Sequence, residues 1–83
     1  MQLTKLDEPI EVRADFKGGS VTPRLFRRQD GTHKVEKIHA VWRDTEGQFR
    51  LYFYSVECEG TVYQLRWRTQ DNLWFIDHVI VEG

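Results

Sequence analysis

Turn signals recur roughly every ten residues along this chain, and that spacing limits what it can fold into. They are Lys17-Gly18-Gly19, Asp30-Gly31, Thr45-Glu46-Gly47, Glu59-Gly60-Thr61 and Thr69–Asn72. Between them lie short runs rich in β-branched and aromatic residues: "PIEVRADF", "SVTPRLFRRQ", "THKVEKIHAVWRD", "QFRLYFYSVEC", "VYQLRWR" and "LWFIDHVIV". None carries the apolar spacing of a helix. The pattern predicts an all-β domain: a six-stranded antiparallel meander, closed into a small barrel or folded into a rolled sheet. Closure is expected because open flat edges invite aggregation. The chain of 83 residues is enough for one domain, taken as 1–83 with residues 1–8 as a flexible N-terminal tail.

Loop length sets strand register, and register decides which side chains share a face. "QFRLYFYSVECEGTVYQLRW" (48–67) is the densest apolar stretch and carries large side chains at both parities. A two-residue loop after Cys58 puts Tyr52, Tyr54 and Val56 on one face with Tyr63, Leu65 and Trp67. Turns at 69–72 and 45–47, the second as a three-residue hairpin, add Trp74, Ile76 and Ile80, then Ile38, Ala40 and Trp42. That face is expected to be the core. The other face then holds Val41, Arg43, Phe49, Leu51, Phe53, Arg66, Arg68, Phe75 and Asp77, with Arg66 paired to Asp77. Arginine stems can lie over Phe53 and Phe75 while their heads stay wet. The N-terminal strand offers Ile10, Val12, Ala14 and Phe16 on one side, which could cover this second face. Otherwise a partner covers it.

Charge is uneven although the net is −1. Residues 1–43 hold nine Lys/Arg against six Asp/Glu, and residues 44–83 hold three against seven. Arg24, Arg27, Arg28, Lys34 and Lys37 cluster around the Asp30-Gly31 turn. A two-residue loop there sets Arg27 opposite Lys34 and Arg24 opposite Lys37. Such like-charge pairs need compensation from carboxylates such as Glu36, from solvent, or from a bound anion such as a phosphate backbone.

Catalytic signals are weak. No glycine-rich phosphate loop, nucleophile elbow or zinc spacing is present. Cys58 sits between Glu57 and Glu59, which would raise a thiol pKa and deactivate it. A single cysteine forms no internal disulfide, and the first ten residues lack the apolar run of a secretion signal, so a reducing cytosol is the expected setting. No stretch is long and apolar enough to be expected to span a membrane. His33, His39 and His78 read as strand histidines rather than metal ligands.

The order of "PIEV", a Gly-Gly, a basic run, "VEKIHAVWR", "LYFYSVECEGTVYQL" and "NLWFIDHVIV" resembles a small bacterial β domain of unknown function. That family occurs alone and at the C-terminus of proteins similar to Y-family translesion DNA polymerases. The resemblance runs over residues 9 to 81, with a departure at "RLFRRQDGTHK". It rests on Val35, Trp42, Arg43, Tyr52, Val56, Gly60, Tyr63, Leu65, Trp74 and Val79. It implies a non-catalytic accessory module, with a link to DNA repair.

The expected function is a binding module, not an enzyme, that docks a protein or nucleic acid without cofactor or metal. A protein partner or self-association ranks ahead of nucleic acid, and neither a membrane nor a small molecule is expected. The expected contact residues are Arg27, Arg28, Arg43, Phe53, Arg66 and Arg68. The alternatives are a structural homo-oligomer joined through the Phe/Leu/Arg face and a β-barrel holding a small ligand at its mouth.

Overall fold

Seven strands form, not six, in the computed structural model, which describes residues 2–81. They are β1 (Gln2–Lys17), β2 (Ser20–Arg28), β3 (Gly31–Lys34), β4 (Lys37–Glu46), β5 (Phe49–Cys58), β6 (Thr61–Arg68) and β7 (Leu73–Val81). The extra strand arises within "THKVEKIHAVWRD", where the chain crosses from one neighbour to another. The Val35 amide donates to the Arg24 carbonyl of β2, and the next amide, Glu36, donates to the Glu57 carbonyl of β5, both at 2.9 Å. Two adjacent residues thus serve different strands, and the run divides there.

The sheet order is β3-β2-β1-β7-β6-β5-β4, antiparallel throughout and not closed into a barrel. β1 serves both halves. Its first part, Gln2 to Ile10, pairs with β7, and its second, Glu11 to Lys17, pairs with β2. Residues 2–8 are therefore half a strand and not a tail. Their alternation is hidden from the sequence by a bulge between Lys5 and Glu8, where Asp7 takes a φ of 49°.

Because β1 changes partner midway, the β2 end of the sheet rolls over the face of β5, β6 and β7. The core forms between the layers. Phe26 of β2 is fully buried with Val56, Leu65 and Ile76, and Tyr54, Cys58, Tyr63 and Trp74 complete the cluster. Each fully buried aliphatic side chain here contributes about 1.5–3 kcal/mol. Phe26 packs edge-on to Tyr63 at 5.0 Å. The Tyr54 hydroxyl donates to the Val21 carbonyl at 2.9 Å, tying β5 to the rolled-over β2. Ile10, Val12 and Ala14 pack against this cluster. They cover the Tyr/Trp face, not the Phe/Leu/Arg face, and Phe16 stays 72% exposed.

The two-residue loop Glu59-Gly60 pairs Cys58 with Thr61, so Tyr54 and Val56 share a face with Tyr63 and Leu65 as expected. A shorter turn and a bulge then invert expectations elsewhere. The β4–β5 loop is Gly47-Gln48 and not the expected three-residue hairpin: Glu46 pairs with Phe49, and Gly47 at φ 63° supplies the left-handed conformation a tight hairpin needs. This register puts Val41 opposite Tyr54 and Arg43 opposite Tyr52, on the concave side, while Trp42 moves to the convex side opposite Phe53. A bulge at His39 then returns Ile38 to the side of Val56. A second bulge, at Asp77, pairs Tyr63 with Val79 and Val62 with Ile80, so Val79 and not Ile80 joins the core side.

Candidate functional site

The roll stops short of closure, and the gap is the most distinctive surface of the molecule. β4 pairs with β5 on one side and with no strand on the other, and all ten of its residues are exposed. Across the gap, β3 pairs with β2 from Leu25 to Arg28, which leaves Ser20 to Pro23 without a strand on the side away from β1. Between these free edges lies a groove of about 860 Å³. The β1–β2 hairpin, from Gly19 to Thr22, forms one wall, and Val41 and Arg43 form the other. Tyr52, Tyr54 and Trp67 form the floor.

Two of the floor residues, Tyr52 and Trp67, belong to an aromatic row that runs on to Trp74 outside the groove. Tyr52, Trp67 and Trp74 are direct neighbours across β5, β6 and β7. Tyr52 stacks on Trp67 at 5.3 Å and Trp67 on Trp74 at 5.4 Å, with interplanar angles of 28° and 7°. Phe16 meets Trp67 edge-on at 6.3 Å. The π faces are turned toward one another along the row.

Arg43 and Arg50 are the charged residues of the groove, and no carboxylate lines it. Arg43 lies opposite Tyr52, and Arg50 precedes Tyr52 by two residues on the same strand face. The two arginines are therefore diagonal neighbours on one face. Among the described residues neither has a carboxylate within salt-bridge distance. Their field is felt by Tyr52: hydrogen bonding from Arg50, helped by the charges of Arg50 and Arg43, holds its hydroxyl below the usual tyrosine pKa. Burial pushes Tyr54 and Tyr63 the other way.

The other arginines expected at the site are neutralised within the chain. Arg27 faces Thr32 and not Lys34, and Lys34 faces Leu25, because the β2–β3 loop is Gln29-Asp30 and not Asp30-Gly31. The like charges of the hairpin are compensated by β1: Arg24 by Asp15, Arg27 by Glu11, and Arg28 by Glu8 in a two-pronged pair at 2.8 and 3.0 Å. Arg66 bonds Asp77 and reaches Asp7 at 2.9 Å, while its guanidinium sits 4.5 Å from the Phe75 ring centre. Arg68 bonds Asp71 at 3.0 Å. Phe53 stacks on Trp42 at 5.4 Å on the convex side. Of the six residues singled out from the sequence, Arg43 alone lines the groove. The sequence places Tyr52 and Trp67 on the core face and gives Arg50 no role, because what unites the three is the open seam, which requires the roll of the whole sheet.

Burial and the neighbouring Glu36 and Glu59 push the Cys58 thiol up to about 11. Among the described residues no group of three or more His, Cys, Asp or Glu is placed to hold a metal. His39 Nε2 lies 2.8 Å from Glu57 Oε1, and His33 Nε2 lies 2.9 Å from Asp30 Oδ1. Among these residues no helix is long and apolar enough to cross a membrane. Comparison with models of known families, with curated proteins and with solved structures finds no match to this chain.

Proposed function

We propose that this domain is a non-catalytic docking module that receives an extended segment of a partner protein in the open seam. The observation that carries this is the open edge of β4, which faces the β1–β2 hairpin across the groove. An unpaired edge is a row of backbone donors and acceptors, and strand addition uses these for affinity and the flanking side chains for selection. The aromatic floor gives the incoming strand an apolar surface to cover.

A selection from displayed random peptides on the immobilised domain tests it. Enriched peptides should shift backbone amide resonances of β4 and of the β1–β2 hairpin at Ser20–Thr22 and spare those of β3. Peptides that instead map to the convex side around Phe53 and Phe75, or a selection that enriches nothing, would reject the seam as the docking site.

The full exposure of β4 also supports a second reading, self-association of two copies edge to edge. Light scattering on the free domain distinguishes them, since a docking module of the first kind is a monomer until its partner arrives.

A further inference from the structure

We infer that the segment taken by the seam is acidic, with carboxylates directed at Arg43 and Arg50; this rests on the docking role proposed above and specifies its chemistry. The first ground is the distribution of charge pairing. In a chain with one more acidic than basic residue, Arg24, Arg27, Arg28, Arg66 and Arg68 find carboxylates on their own chain. Among the described residues Arg13, Arg43 and Arg50 find none, and of these three Arg43 and Arg50 share the groove, diagonal to each other on one strand pair. Like charges placed this way repel, and a bound anion removes that repulsion while gaining two charge-assisted contacts. Among the described residues no carboxylate lines the seam.

The second ground is the aromatic floor. Trp67 has Tyr52 stacked on one side and Trp74 on the other. Base stacking needs exposed ring faces, and the largest ring of the floor has both of its faces taken within the chain, which argues against single-stranded nucleic acid as the intended partner. An acidic strand matches the free backbone edge, the cationic wall and the apolar floor together.

Three synthetic peptides of about ten residues, the length of β4, test this: alternating Val-Asp, Val-Thr and Val-Lys. An oligothymidine of similar length is the fourth probe. Binding is read by tryptophan fluorescence and by amide shifts. The Val-Asp peptide should bind at least about tenfold more tightly than Val-Thr, and Val-Lys should not bind. Raising salt from about 50 to 200 mM should weaken the Val-Asp complex, as expected of a charge-steered contact near the surface. The double variant Arg43→Glu with Arg50→Glu should reverse the order of the Val-Asp and Val-Lys peptides. Bound acid should also raise the Tyr52 titration toward that of an ordinary tyrosine.

If Val-Thr binds at the seam as tightly as Val-Asp and charge reversal changes nothing, the acidic specificity is wrong while docking stands. If no peptide of any charge shifts the amides of β4 or Ser20–Thr22, the docking role itself fails. Oligothymidine binding more tightly than Val-Asp, with the same residues responding, would replace the protein partner by a nucleic acid.

Discussion

Two sets of arginines sit on opposite surfaces of this sheet and meet opposite fates. On the convex side Arg66 lies across Phe75, bonded to Asp77 and Asp7, its side chain 23% exposed. On the concave side Arg43 and Arg50 face a groove with no counter-charge. Residue type is the same, and so is the sheet. What differs is which residues the strand pairing brings alongside. Across β6 and β7 Arg66 meets the carboxylate of Asp77, whereas the two-residue Gly47-Gln48 loop sets Arg43 opposite Tyr52, on the rim of the seam. A loop one residue shorter than expected thus decides which face Arg43 joins.

Breaking the convex pair should have the larger effect. Asp77→Ala leaves a largely covered guanidinium with only the exposed Asp7 for company, and we expect a loss of about 1–3 kcal/mol in denaturant unfolding. A loss below about 0.5 kcal/mol would make the two sets energetically alike and remove the contrast.

Acid titration sharpens the same contrast through Arg28 and Glu8. Hydrogen bonding from Arg28, and its charge, hold the Glu8 carboxyl below its ordinary value of 4.5. A carboxyl whose pKa is lower when folded adds stability that is complete above the unfolded value and drains away as pH falls through the folded one. The unfolding midpoint should therefore decline below about pH 4.5, and Glu8→Gln should flatten that part of the profile. The groove arginines have no carboxylate whose protonation could release them.

The smallest effect is expected in the groove. Arg43→Gln with Arg50→Gln should leave stability within about 0.5 kcal/mol of the parent, since no native ion pair is lost. The same variant should return the Tyr52 phenol toward the normal tyrosine range in a spectroscopic pH titration. A destabilised variant, or a Tyr52 titration that does not move, would mean that these side chains are held by contacts other than those described.

Much of the architecture is legible in the turn spacing, because glycine-marked hairpins leave few alternatives to an antiparallel meander. The Glu59-Gly60 loop fixes the parity of β5 against β6, so Tyr54, Val56, Tyr63 and Leu65 can be assigned to the core from the sequence. Ile80, Trp42 and Arg43 cannot be placed in the same way. Ile80 lies beyond the bulge at Asp77, and an inserted residue leaves no mark in an alternating pattern whose both parities are apolar. Trp42 and Arg43 take their faces from the loop Gly47-Gln48, which a three-residue reading of the same turn inverts. The β1 carboxylates that neutralise the basic hairpin are equally hidden. Glu8, Glu11 and Asp15 look like ordinary solvated charges until β1 is known to lie beside β2. The groove is harder still, since its two walls come from residues about twenty positions apart that share no ladder.

The divided use of β1 has a consequence for the order of assembly. Gln2 is the ladder partner of Val81, so the earliest described residue waits for the latest before its pairing exists. On a ribosome the β1–β2–β3 arm and the β4–β5–β6 meander can each form by local hairpins, but the strip from β7 to β1 that joins them forms last. Pairings this remote in sequence are slow to nucleate. Until they close, Phe26 has only half its cover, and the emerging chain carries an apolar surface that a chaperone could recognise.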